Sequence, residues 1–325
     1  MTAQQMRTPT PQGVVRAAAK IAELLPKTPL IEAEINGTPV WLKAECLQPI
    51  GAFKIRGAWH RLSDLDEQAR QRGVVGVSSG NHAQGVAWSA QRLGIPATIV
   101  MPVDAPQVKL DATRAMGANV VLYDRPGGED RDEIAQRLID QTGATLVHAY
   151  GDPWVIEGQG SAGIEIAQQM AERGLDAPTR IVTCCGGGGL AAGLALSSPD
   201  AEILPVEPEG WDDVARSLAT GEIQRVAADA PPTDCDALQT PATWPINFAI
   251  LKERCPYGVA VTLTEVRAAQ RWAFSRLHLV VEPGGAVALA AALAGKVPLD
   301  GRTAILISGG NTDAAQFAKV LLGND

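Results

Sequence analysis

Lys54 lies in the run Gly51-Ala52-Phe53-Lys54-Ile55-Arg56-Gly57-Ala58, flanked by two apolar side chains and bracketed by two glycines. A lysine held among apolar groups loses hydration. That disfavours its ammonium form and frees the amine as a nucleophile or Schiff-base partner. The same octapeptide suits a turn whose lysine snorkels its head to water, so the segment alone leaves both readings open.

A second chemical signal is Cys184-Cys185-Gly186-Gly187-Gly188-Gly189-Leu190. β-Branched residues precede it and small residues follow, which places the glycines between a strand over 180–183 and a helix. Uncovered backbone N–H groups at the positive end of a helix make a phosphate cradle. Gly186, Gly188 and Ala191 also meet a loose GxGxxA dinucleotide fingerprint, with Glu207 after the next strand as a ribose ligand. The loop therefore points to a phosphate without saying whose.

Ser78-Ser79-Gly80-Asn81-His82 sits at another strand end. Ser and Asn there can cap the following helix. Two hydroxyls, an amide and free N–H groups equally suit a carboxylate. Ser308-Gly309-Gly310-Asn311 follows a strand over 303–307, and the carboxyl ends of strands are where open α/β sheets place ligands. Three such ends converge more readily on one crevice than on three hinges.

The elements that must position these groups alternate. From residue 74, strands over 74–78, 97–101, 119–123 and 145–148 are separated by helices over 83–93, 106–116 and 129–141. This pattern signals βαβ units and a parallel sheet. After the turn at Gly151-Asp152-Pro153, a long helix over 154–173 leads to strands over 180–183, 202–206, 259–262, 279–282 and 303–307. A stretch over 220–245 has no period and is expected to cross the surface or the site. Near the N-terminus, a helix over 13–25 and a strand over 40–45 must pack on one of the two series. Packing on the second makes a discontinuous larger domain, 1–66 with 152–325, and a smaller one, 67–151.

Composition narrows the class. Hydrophobic residues at 46% and charged residues at 20% describe an ordinary globular enzyme. A net charge of −8 without a basic cluster argues against nucleic acid and anionic membrane as partners. Five cysteines lack metal-site spacing and read as reduced thiols. With no 18-residue apolar run and no apolar signal core, a cytoplasmic location is expected.

Phe-Lys-x-Arg-Gly-Ala, Ser-Ser-Gly-Asn-His, a four-glycine loop and Ser-Gly-Gly-Asn, in this order, resemble the fold-type II pyridoxal-phosphate enzymes. Within them the chain is similar to the serine/threonine dehydratase and serine racemase group, over about residues 28–313. The resemblance implies an α/β fold of two open, mainly parallel twisted sheets with flanking helices, like the tryptophan synthase β subunit. The cofactor, pyridoxal 5′-phosphate (PLP), would lie in the cleft between them, and the protein would form a homodimer acting on a small amino acid.

The resemblance also implies roles. Lys54 would hold the cofactor covalently through its amine and act as base at the substrate Cα, with Phe53 beside the ring. Gly186, Gly187, Gly188, Gly189 and Leu190 would bind the phosphate, Asn81 the ring's 3′ oxygen, and Ser308 the pyridine nitrogen. Ser78, Ser79, Asn81 and His82 would frame the substrate carboxylate. Ser79, opposite Lys54, would be the acid that a racemase needs on the second face. Glu207, the carbonyl of Trp211 and Asp213 would bind Mg²⁺, Ca²⁺ or Mn²⁺ with waters completing the shell; an acidic surface turn is the competing reading.

A serine hydroxyl is too weak an acid to protonate the pyridine nitrogen, so the ring is a weaker electron sink and elimination fits better than transamination. The expected activity is removal of water and ammonia from a β-hydroxy-α-amino acid of the threonine or serine type, including 3-hydroxyaspartate and phenylserine. The alternative is racemisation, alone or alongside elimination. More distant rivals are a nucleotide-binding oxidoreductase, which leaves Lys54 and Ser308 without a role, and a non-catalytic binding protein. Ala52 and Cys184-Cys185 depart from the group's usual residues, and the unusual stretch 236–250 leaves threonine in doubt as substrate. Feedback control through a C-terminal amino-acid-sensing domain is not expected.

Overall fold

Proline and short polar side chains start several of the helices. In α1 (Pro11–Ala22), Thr10 caps by accepting from the Gly13 N–H, and Pro11 occupies a position where a missing N–H is harmless. The computed structural model describes residues 7–323 except Ser79, Pro106, Arg125 and Pro126.

After α1 come β1 (Leu30–Ile35) and β2 (Thr38–Ala44), an antiparallel hairpin. Asn36 and Gly37 turn it at φ 51° and 77°, the left-handed pair that two-residue hairpins favour. The expected single strand over 40–45 is therefore one strand short; the Asn-Gly signal was present in the sequence. Lys54 then opens α2 (Lys54–Ser63), so it stands at a helix start and not within a free turn.

After α3 (Glu67–Arg72), the valine-rich run forms β3 (Val74–Val77). It is followed by α4 (Asn81–Leu93), β4 (Ala97–Pro102), α5 (Gln107–Ala115), β5 (Asn119–Tyr123), α6 (Arg131–Thr142) and β6 (Thr145–Val147). The four strands form one parallel sheet in the order β5-β4-β3-β6. The helices are the crossovers that parallel pairing requires.

Asp152 caps α7 (Pro153–Ala171). The chain continues through β7 (Arg180–Cys184), α8 (Gly189–Ser197), β8 (Glu202–Pro208), α9 (Asp213–Thr220), α10 (Pro245–Arg254), β9 (Val259–Val261), α11 (Leu263–Leu277), α12 (Pro283–Leu293), β10 (Thr303–Ile307) and α13 (Ala314–Leu322). The second sheet runs β1-β2-β10-β7-β8-β9, parallel apart from the β1–β2 pair. Its strands and the small-residue helices α8 and α12 bury the larger core.

The expected strand over 279–282 does not form. Gln270 ties down the Val281 carbonyl at 2.8 Å, and the Glu282 N–H donates to Gly309 at 3.1 Å, so no strand ladder reaches this run. Glu282 is instead the N-cap of α12, with Pro283 at the first position. Between α9 and α10 the chain is irregular except for a 3₁₀ turn, Asp236–Leu238. Among the described residues no helix is long and apolar enough to cross a membrane.

Candidate active site

One cavity collects the ends of elements from both sheets. Phe53 and Lys54, Asn81, the loop Cys184–Leu190, Ser308, and Ala237, Leu238 and Thr240 of the irregular stretch all line it. Backbone bonds bring two of the sequence signals together. Phe53 N–H donates to the Ser308 carbonyl at 3.1 Å, Gly310 N–H to Gly51 at 2.8 Å, and Asn311 Nδ2 to the Ile50 carbonyl at 2.8 Å. The segment that presents Lys54 is thus stitched to the loop after β10.

Lys54 Nζ donates to the Ala149 carbonyl at 2.7 Å and lies 5.2 Å from the Phe53 ring centroid. Burial brings its pKa down to about 8, because a dry site disfavours the ammonium. A useful fraction of free amine is therefore present near neutral pH. Two residues on, Arg56 anchors α2 in the core. Its guanidinium donates to both oxygens of Glu45 at 2.7 Å and to Glu165 at 2.7 and 2.8 Å. Lys43 adds a bond to Glu165 at 2.7 Å. Burial alone would raise Glu45, but Arg56 overrides it and brings the carboxyl down to about 2.

The glycine loop turns its polarity in the expected sense. The Gly187 carbonyl is held by Asn247 Nδ2 at 2.6 Å and Thr243 Oγ1 at 3.2 Å, and the Gly188 carbonyl by Ala192 N–H at 2.9 Å. Gly188 has φ 88°, and no side chain caps α8. The first N–H groups of that helix, which have no intrahelical acceptor, remain for an anion. A Cβ on Gly187 would lie 2.2 Å from the Tyr150 ring, so a side chain there would clash.

Asn81 is held from two sides. Its amide donates to Glu282 Oε1 at 2.5 Å, and its carbonyl accepts from Asn311 at 2.8 Å. Glu282 lines the same cavity, is 2% exposed, and its Oε2 has no partner among the described residues. Burial raises its carboxyl to about 7, with Asp236 adding to the rise and Lys109 and Asn81 opposing it. Among the residues singled out from the sequence Glu282 was absent; its one local signal is a lone charge ending an apolar run before Pro-Gly-Gly. Ser308, also buried, accepts a bond from Cys184 Sγ at 3.2 Å.

His82 Nε2 donates to the Val147 carbonyl at 2.8 Å, tying α4 to β6. Burial, and then the charge of Lys54, hold it down at about 3. It is neutral at working pH and has the geometry of an anchor. Ser78 Oγ accepts from Gly80 N–H at 3.1 Å. Ser79 lies outside the described residues.

Glu207 and Asp213 stand apart from this cavity. Both Glu207 oxygens accept backbone N–H groups of α9, Val214 at 3.0 Å and Ala215 at 2.8 Å. Asp213 Oδ2 accepts from Thr243 N–H at 2.8 Å, while Oδ1 is buried without a partner among the described residues. Burial raises both carboxyls, Asp213 to about 6. The donor types suit a hard cation, and of the four carboxylate oxygens Asp213 Oδ1 is the one with no protein partner among the described residues. Trp211 lies between them in sequence, and its ring N–H donates to Pro231 at 2.8 Å. No cluster of three His, Cys, Asp or Glu side chains among the described residues could hold a metal.

Comparison with known proteins agrees with this geometry. A family model described as pyridoxal-phosphate dependent enzyme matches residues 21–309. The chain is 41% identical to L-threo-3-hydroxyaspartate ammonia-lyase of a Pseudomonas species, over 95% of this chain and 98% of that protein. It is 39% identical to serine racemase of Schizosaccharomyces pombe, over 96% and 97%. Its fold superposes on that of maize serine racemase with TM-score 0.89 and 32% identity, covering 98% of each chain. Lysine amine, uncapped glycine helix and buried serine in one cavity are what such a cofactor would use, and the chain belongs to the pyridoxal-phosphate dependent enzymes, in the serine/threonine dehydratase and serine racemase group.

Proposed function

We propose that this chain is a PLP-dependent ammonia-lyase that converts a β-hydroxy-α-amino acid to a 2-oxo acid and ammonia. The observation that carries the reading is the placing of Lys54, with its lowered pKa, in one cavity with the glycine loop and Ser308. The bound cofactor supplies the electron sink that acidifies the substrate Cα. Lys54 would hold the cofactor through its amine and would take the proton from the substrate Cα. The glycine loop and the start of α8 would bind the phosphate, Asn81 would meet the ring's 3′ oxygen, and Ser308 would offer the ring nitrogen a hydrogen bond but no proton. Such weak support at the nitrogen would favour loss of the β-hydroxyl. Water leaves in the elimination, and water re-enters when the enamine product hydrolyses, so the net products are one 2-oxo acid and one ammonia.

Among substrates, 3-hydroxyaspartate leads. The support is the 41%-identical Pseudomonas protein, which is named for that substrate. The test is release of 2-oxo acid and ammonia from 3-hydroxyaspartate, threonine, serine and phenylserine. Equal amounts of the two products, with the highest kcat/KM for 3-hydroxyaspartate, are expected. PLP binding without ammonia from any of the four would refute the reading.

Racemisation is the second reading, supported by the serine racemase relative and by Ser79. Inversion needs acid–base groups on both faces, so Ser79→Ala should impair it more than elimination. Equal loss of both would remove the two-face assignment. A divalent cation at Glu207, Trp211 and Asp213 is a further proposal, supported by the unpartnered Asp213 Oδ1. A homodimer in the cytoplasm completes the expectation.

A further inference from the structure

We propose that Cys184 is a positioning residue for the cofactor: its thiol donates to Ser308 Oγ and leaves the serine's own proton for the ring nitrogen. The inference rests on the reading that Ser308 faces that nitrogen.

The two residues meet because β7 and β10 are adjacent parallel strands. Cys184 is the last residue of one, and Ser308 follows the other. Each is 3% exposed and each lines the cavity. Sγ donates to Oγ across 3.2 Å. Burial holds the thiol up at about 11, against the downward pulls of Ser308 and Lys54, so near neutral pH it is an S–H and a donor.

A hydroxyl has one proton and two lone pairs. With a lone pair of Ser308 taken by the thiol, and no other side-chain partner among the described residues, its proton is free for an acceptor in the cavity. An unprotonated pyridine nitrogen is such an acceptor. Each bond in a chain S–H to O–H to N polarises the next, so the thiol strengthens the serine as donor without making it an acid. Cys185 takes no part, since its Sγ lies 3.6 Å from the Gly186 carbonyl. The relay gives a physical use to Cys184, one of the two cysteines by which this loop departs from the group's usual sequence.

The test loads wild type, Cys184→Ala, Cys184→Val, Cys184→Ser and Ser308→Ala with PLP labelled with ¹⁵N in the ring. The ring ¹⁵N chemical shift reports the hydrogen bond at that atom. Ser308→Ala should move it most. Cys184→Ala and Cys184→Val should move it part of the way in the same direction and weaken PLP binding about two- to fivefold, the scale of one weak hydrogen bond. Cys184→Ser, which restores an O–H donor, should keep the wild-type shift. The S–H stretching band isolated by subtracting the Cys184→Ala spectrum should fall in frequency on loading. A shift moved by Ser308→Ala but untouched by both donor-free variants would overturn the role of Cys184 and leave Ser308 standing. A shift indifferent to Ser308→Ala would overturn the Ser308 assignment, and the relay with it.

Discussion

Glu282 should make the protein less stable as pH rises from about 4.5 to about 7, and Glu282→Gln should remove that dependence. The carboxyl is 2% exposed, with one oxygen on Asn81 and the other unpartnered among the described residues. Burial raises it from 4.5 to about 7. The folded state therefore holds the proton more tightly than the unfolded chain. Below about 4.5 both states are protonated and nothing is lost. Above about 7 both are ionised, and the folded state bears the full penalty of a dry carboxylate. At 1.36 kcal/mol per pH unit the penalty amounts to about 3 kcal/mol. Gln never ionises, and its carbonyl can still accept from Asn81. Urea unfolding of cofactor-free protein, followed by tryptophan fluorescence, should show wild type and variant equally stable near pH 4.5. At pH 8 the variant should be ahead by about 3 kcal/mol. A wild-type-to-variant difference that stays flat across this range would refute the reasoning.

Arg56→Met strands the buried carboxylate of Glu45 and leaves Glu165 to Lys43 alone, so a loss of about 3–5 kcal/mol is expected. Adding Glu45→Gln, with Glu165 kept as the partner of Lys43, should recover part of it, and an unchanged melting temperature in the single variant would contradict the network's role. Lys54→Ala should release no ammonia, and borohydride should fix a pyridoxyl group on Lys54 of the wild type; a tagged peptide carrying another lysine would sink the assignment. If Asp213 and Glu207 hold a divalent cation, adding it should raise the melting temperature by mass action, EDTA should lower it, and Glu207→Ala should erase the difference; metal-loaded protein indifferent to EDTA would leave the acidic-turn reading standing.

The sequence by itself determined the features that are local. The four-glycine loop, the strand-ending serine motifs and the alternation of strand and helix through residues 74–147 follow from residue type and spacing, because backbone freedom and hydrophobic period act over a few positions. Lys54 was recognisable from its neighbours, though its place at the start of α2 was not. The run 279–282 has the composition of a strand, and only the missing ladder partner made it the entry to α12. Tertiary structure alone decided which polar groups meet: Arg56 with Glu165 across 109 residues, Cys184 with Ser308 across 124, Asn81 with Glu282 across 201. Those pairings set the chemistry, since a carboxyl or amine shifts only when the fold removes its water and fixes its partner. Glu282 reads in sequence as an ordinary glutamate before a proline; burial beside Asn81 turns it into a group that titrates near neutrality.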